Sequence, residues 1–308
     1  MSEGATPGAP TPPAEDVPHA RVPGGAHTFR DRARRLHTLA AGHSLGGYLE
    51  FMARLVEAQA HAAHVLSGRV PAAGADHIAR CLEEGRPVYP ALGWPRDPVW
   101  RQALDLILGQ LATEDAASPA VRELGAAPPE RIEAIAQHLL AGEFEAQHPG
   151  QAPLVAAALQ VYWNALASQL EARLFRSGGQ ASGMCPACGS PPVASVVRIG
   201  GVEQGLRYLH CSLCDTEWHL ARVQCSNCSN TTDLGYFALQ GAGEAVKAEA
   251  CDTCRSYLKQ VYMTRAPEAD PVADDLATLT LDMLMAERDY QRSGPNLLFI
   301  PGPERSAD

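Results

Sequence analysis

The chain has 308 residues, 46% of them apolar and 19% charged, enough to bury a real core in two or three domains. Its 25 basic and 35 acidic residues leave a formal charge of −10, which speaks against a general nucleic-acid binder, because displacing counterions from phosphate needs a cationic surface. No apolar run approaches the roughly 18 residues that a membrane span requires, so membrane insertion is not expected.

Residues 1–26 are rich in Pro, Gly and Ala and hold no apolar run. They read as a disordered tail rather than a signal or transit peptide, and a cytoplasmic location is expected. A helical domain follows over 27–180. Residues 28–41 and 45–66 form a helical pair, with Leu45, Leu49, Met52, Val56 and Ala63 at helical spacing in the second. Cys81 lies in a further helical stretch, 77–82, and is expected to be a buried apolar residue. Asp97-Pro98 opens another helix, with Leu104, Ile107, Leu108 and Leu111 on one face. Pro128-Pro129 opens one over 130–140. Pro153 opens the last, running through Leu159, Tyr162, Leu166, Leu170 and Leu174. Ser177-Gly178-Gly179-Gln180 reads as a flexible break.

Between the first two helices, Gly42-His43-Ser44-Leu45-Gly46 matches the G-x-S-x-G nucleophile elbow of lipases letter for letter. That elbow needs a strand to deliver the serine to a sharp turn, and here an arginine-rich helical segment precedes it. Ser44 is therefore expected to cap the second helix, and His43 to cap or pack.

Beyond residue 180 the composition changes. Four pairs follow: Cys185-Pro-Ala-Cys188, Cys211-Ser-Leu-Cys214, Cys225-Ser-Asn-Cys228 and Cys251-Asp-Thr-Cys254. Both gaps, 189–210 and 229–250, are 22 residues long, and a shift of 40 superposes Cys185 on Cys225 and Cys211 on Cys251. This is an internal duplication of a small module, at 181–222 and again at 223–266. A CxxC segment curls so that both sulfurs point to one place, and two such knuckles complete a tetrahedron of thiolates. The 40-residue repeat assigns Cys185, Cys188, Cys211 and Cys214 to one metal and Cys225, Cys228, Cys251 and Cys254 to a second, with a cross-braced pairing of knuckles one with three and two with four as the alternative. Modules this small have little core of their own and depend on the ion to fold. A tetrahedron of four thiolates suits zinc or rubredoxin-type iron, and spacing alone leans to zinc.

Each module reads as a hairpin. The segments 193–199 and 206–210 flank a Gly200-Gly201 turn, and in the repeat the strand over 235–239 runs to Gly241-Ala242-Gly243. Gly189 follows the first knuckle, but Asp215, Ser229 and Arg255 follow the others, so these three must occupy a left-handed position that favours glycine. His210 and His219 flank the second knuckle and read as surface groups or neighbours of the site, Trp218 as packing on its own module. Glu83-Glu84 and Asp274-Asp275 read as solvated faces or caps. One amphipathic helix over 273–290, with Leu276, Leu279, Met283 and Leu284, and a tail make up 267–308. The fold class is α+β: a helical N-terminal domain followed by two tandem rubredoxin/zinc-ribbon-like four-cysteine modules and a C-terminal helix.

This layout resembles the formate dehydrogenase accessory (formation) protein family, FdhE, over about residues 28–300. Three segments carry the likeness: Gly42-His43-Ser44-Leu45-Gly46-Gly47-Tyr48-Leu49; Arg207-Tyr208-Leu209-His210-Cys211-Ser212-Leu213-Cys214-Asp215-Thr216-Glu217-Trp218; and Asp274-Asp275-Leu276-Ala277-Thr278-Leu279 with Asn296-Leu297-Leu298. The chain departs from the family pattern at Ser44 and Gly47, where Pro and Asp are usual. The resemblance implies a cytoplasmic maturation factor without catalytic residues, which binds the catalytic subunit of a respiratory formate dehydrogenase before export. It also implies two rubredoxin-type iron ions per chain, with zinc as the alternative. Rubredoxin-like electron transfer is the first competing reading, and a redox-active visible spectrum separates the two. A nucleic-acid-binding zinc ribbon is the second. Residues 185–265 carry seven basic and seven acidic side chains, a poor surface for phosphate. A homo-oligomer remains open.

Overall fold

Helix α7 (Ala152–Ala167) is mostly apolar, and every residue in it except Ala165 is buried, Gln160 and Asn164 included. It is the axis of the helical part of the molecule. The computed structural model describes residues 17–112, 118–144, 149–175, 183–239 and 244–300. Before α7, the described residues hold α1 (Ala26–Ala40), α2 (Gly46–Val65), α3 (Ala75–Glu83), α4 (Val99–Leu111), α5 (Ser118–Gly125) and α6 (Pro129–Ala141). Helices α2, α4 and α6 pack on α7, and α1 lies along α2. Trp100 and Trp163 fill the centre with no exposed surface. Cys81 is buried as expected. The helix opened by Pro153 stops at Ala167 instead of reaching Leu174, where a separate 3-10 turn, Ala172–Leu174, follows. The break expected at Ser177–Gln180 lies outside the described residues, as do residues 1–16 of the tail.

The corner between α1 and α2 corrects one expectation. Ser44 does not cap α2. The Leu45 amide donates instead to His43 Nδ1 at 3.0 Å, and His43 Nε2 donates to the Ala277 carbonyl at 3.0 Å. His43 thus serves the helix entry and ties it to the C-terminal segment. A Cβ on Gly46 would lie 2.8 Å from the Ala40 carbonyl oxygen, so the tight corner itself demands glycine there.

The sheet begins inside the segment assigned to the tail. Strand β1 (Ala20–Arg21) pairs with β4 (Glu217–His219), antiparallel. Within the first module β2 (Pro192–Val197), β3 (Arg207–Cys211) and β4 form an antiparallel unit. In the second, β5 (Leu234–Phe237), β6 (Val246–Cys251) and β7 (Ser256–Tyr262) repeat it. The two units fuse where β2 runs parallel to β7, with Val196 opposite Val261, giving one sheet in the order β1-β4-β3-β2-β7-β6-β5. Both hairpins exist, but the first does not turn at Gly200-Gly201 alone. The connection includes a 3-10 turn, Gly201–Glu203, and closes through Arg198 N to Leu206 O and Gly205 N to Arg198 O, which carries Glu203 out to Arg21. The glycine turn of the second hairpin lies outside the described residues.

The single helix expected over 273–290 is two, α8 (Pro271–Leu276) and α9 (Leu279–Ala286), after which β8 (Gln291–Arg292) runs parallel to β7. The cause of the break is Lys259 on β7. Its buried ammonium group takes the carbonyls of Asp275 (2.9 Å) and Thr278 (3.0 Å), at the joint where the ladder stops. Asp274-Asp275 is not solvated either. Arg35 grips Asp274 with two bonds, at 2.9 and 2.6 Å, and Asp275 accepts from Arg292 and Asn296. Among the described residues no helix is long and apolar enough to cross a membrane.

Candidate metal centres

The second and fourth CxxC pairs sit at strand ends, the first and third in the loops before β2 and β5, and each closes into the same local turn. In the first, Gly189 N donates to Cys185 O at 2.8 Å and Cys185 N to Ser190 O at 2.9 Å; in the third, Ser229 N reaches Cys225 O and Cys225 N reaches Asn230 O. Leu213 N and Cys214 N both point at Cys211 Sγ from 3.4 Å, and Asn227 N at Cys225 Sγ. The residue after each knuckle is left-handed: Gly189 at φ 74°, Asp215 at 60°, Ser229 at 63° and Arg255 at 56°. Three non-glycine residues therefore hold the strained conformation that the spacing demands, each at a cost of about 1–2 kcal/mol.

The structure brings Cys185, Cys188, Cys211 and Cys214 into one cluster and Cys225, Cys228, Cys251 and Cys254 into another, with all sulfurs of a cluster within 4.8 Å of one another. Shortest S–S separations are 3.5 and 3.4 Å in the first and 3.7 Å twice in the second. A tetrahedron with metal–sulfur bonds of about 2.3 Å has edges of about 3.8 Å, close to this spacing.

Electrostatics make the same point. Burial pushes Cys211 and Cys214 well above the usual thiol range, and contact with Cys185 and Cys188 pushes them further. Around Cys188 burial also opposes ionisation, but hydrogen bonds from the other three thiols and Ser190 outweigh it and hold the group well below that range. At Cys254 burial is likewise outweighed, here by the Ser256 hydroxyl and amide and by Asn227, and the thiol is lowered to about 6. Four sulfurs that compete for one negative charge are a donor set suited to a cation, and each cluster could hold a metal ion.

The clusters differ in their surroundings. In the first, all four cysteines are 0–1% exposed. The helical part clasps both knuckles. Tyr89 N and Ala91 N donate to Ala187 O and Cys188 O at 2.8 Å each, and Gln160 Nε2 of α7 donates to Ser212 O at 2.8 Å. Asp215 receives Arg32 of α1 and Asn164 of α7, both at 2.8 Å. His210 sits between Asp215 (3.2 Å) and Glu217 (3.1 Å), and Glu217 is paired to Arg198. His219 stands edge-on to Tyr208, with ring centroids 5.7 Å apart. Trp218 lies in β4 opposite Leu209 and Ala20. In the second cluster Cys228 is exposed and Cys254 half-buried. Its polar neighbours come from its own module, the adjacent C-terminal segment and the first module's β3: Asn230 donates to Thr253, Arg255 stacks on Tyr290 at 3.9 Å, and Arg207 donates to Gln224 O at 2.9 Å. Spacing identified the cysteines; nothing local in the sequence marks Arg32, Gln160 or Asn164 as their supports.

Compared with known proteins, the chain matches the FdhE N-terminal domain over residues 17–178, the FdhE central domain over 184–222 and the FdhE C-terminal domain over 223–299. It belongs to the FdhE family. Curated FdhE homologues include one from Cronobacter sakazakii, 39% identical over 94% of this chain and 93% of its own length. Another, from Edwardsiella ictaluri, is 41% identical over 91% of each. The crystal structure of the FdhE protein from Pseudomonas aeruginosa has 36% identity and a TM-score of 0.81, covering 92% of this chain and 100% of that one.

Proposed function

We propose that this chain is an accessory factor for the maturation of a respiratory formate dehydrogenase, that it binds the catalytic subunit in the cytoplasm before export, and that it is not itself an enzyme. Membership of the FdhE family, over nearly the whole chain and all three of its domains, carries the reading. Each tetracysteine cluster holds one ion, rubredoxin-type iron in preference to zinc: Cys185, Cys188, Cys211 and Cys214 the first, Cys225, Cys228, Cys251 and Cys254 the second. A bound ion neutralises four crowded sulfurs and cross-links two knuckles, so that a small module presents a stiff surface to a partner at low entropic cost. The exposed edge of the second cluster favours one further reading, electron transfer through that edge.

The test is a strain lacking this chain. It should still synthesise the formate dehydrogenase subunits yet oxidise little formate, and the purified protein should bind the isolated catalytic subunit. Normal formate oxidation in that strain overturns the proposal. Full restoration by zinc-loaded protein would exclude the redox reading and leave docking.

A further inference from the structure

The two clusters have the same four donors, the same CxxC-x22-CxxC spacing and the same left-handed backbone at each knuckle exit, so a difference in how firmly they keep an ion must come from their surroundings. Those surroundings are opposite. Every sulfur of the first cluster is sealed from solvent. The backbone of its knuckles is bonded at Ala187 O, Cys188 O and Ser212 O by the 89–91 loop and α7, and Asp215 beside it is held by α1 and α7. A Cβ on Gly189 would stand 3.2 Å from Pro87, which shows how closely that loop lies on the first knuckle. Nothing can reach these sulfurs unless the helical part lifts away. The second cluster turns Cys228 and Cys254 to solvent, and the exposed bonds among Asn230, Thr232 and Thr253 hold its rim. Local fluctuation suffices to open it.

Ligand exchange at a four-thiolate ion begins when an incoming donor reaches the metal as one sulfur leaves. That step requires an open face. Resting on the metal occupancy proposed above, we infer that the two centres divide the work. The first is a permanent structural centre that locks the two knuckles of the first module together beneath the helical part. The second is an exchange site, through whose Cys228–Cys254 edge a thiolate- or carboxylate-bearing acceptor can take the ion while the helical part and the first module stay folded. No electron moves in this step: the divalent ion transfers to the acceptor, and the vacated sulfurs keep their charge or take protons from water.

The test uses the full-length chain loaded with zinc(II) and challenged with excess EDTA. Ions remaining per chain are counted by elemental analysis, and pulses of N-ethylmaleimide map the freed thiols by mass spectrometry. The expected result is two phases of one ion each, at least about tenfold apart in rate, with only Cys225, Cys228, Cys251 and Cys254 labelled in the first phase and helical circular dichroism unchanged. Gln160→Leu should accelerate the slow phase about fivefold or more by removing a buried hydrogen bond, and leave the fast phase alone. A single phase releasing both ions, or earlier labelling of Cys185, Cys188, Cys211 and Cys214, overturns the division while leaving two-ion occupancy intact. Fewer than two ions per chain before the challenge overturns the occupancy itself, and the division with it.

Discussion

Arg32 of helix α1 and Asp215, the residue that leaves the second knuckle, meet at 2.8 Å with side chains 0% and 1% exposed, although 183 positions separate them in the chain. Asn164 takes the other carboxylate oxygen, and Arg32 also reaches Asp270, the N-cap of α8. One guanidinium thus joins the first helix, the first cluster and the C-terminal segment. Burial alone would disfavour both charges, yet their attraction holds the Asp215 carboxyl well below the usual carboxylate range. Arg32→Met should cost about 3–5 kcal/mol in urea unfolding, because it strands a buried carboxylate. Arg32→Met combined with Asp215→Asn should recover part of that loss, with a coupling of about 1–3 kcal/mol in the double-mutant cycle. Strict additivity would show that the pair is not a unit.

His210 predicts a pH dependence. Burial lowers its pKa, but the carboxylates of Asp215 and Glu217 on its two ring nitrogens outweigh that and raise it to about 9. In the unfolded chain the group titrates near 6.5. The folded state therefore holds a proton that the unfolded state has lost between these values. The stabilisation is complete below about pH 6.5 and disappears as pH rises through 9, at a slope of at most about 1.4 kcal/mol per pH unit. Glu217, lowered to about 2 against burial by Arg198 and His210, has the opposite sense: its contribution is complete above the ordinary glutamate value and is lost as pH falls from there through 2. Urea titrations from pH 6 to 10 should show the alkaline decline in the wild type and a flat profile in His210→Gln.

The left-handed exits predict opposite outcomes at two residues of nearly equal φ. Ser229 is exposed at 63°, so Ser229→Gly should relieve backbone strain and stabilise by about 0.5–1 kcal/mol. Asp215→Gly at 60° relieves the same strain but removes the partner of Arg32, and should destabilise by about 3 kcal/mol or more. Melting temperatures of the two variants, shifted in opposite directions, are the check.

At the corner of α1 and α2 the cap belongs to His43. His43→Ala should cost about 1–2 kcal/mol by losing the bonds from Leu45 N and to Ala277 O. Ser44→Ala should stay within about 0.5 kcal/mol of the wild type. Thermal denaturation distinguishes them, and the reverse order would restore Ser44 as the cap.

Sequence alone was enough to find what short-range geometry dictates. A knuckle is four residues and a left-handed exit, so Cys185–Cys188 and its three repeats could be read letter by letter, and the 40-residue shift paired them into two clusters. The helices α2, α4 and α7 followed equally from apolar spacing. Other features depended on partners far along the chain. Lys259 breaks the C-terminal helix from a neighbouring strand, and Arg35, Arg292 and Asn296 draw Asp274 and Asp275 inside, whereas their own neighbours suggested a solvated face or a cap, of which Asp274 keeps the second by accepting from the Asp270 amide. Two clusters of identical donors became one sealed and one open because α1, α7 and the 89–91 loop cover only the first. Burial and long-range charge are properties of what packs on a residue, and only the tertiary structure decides them.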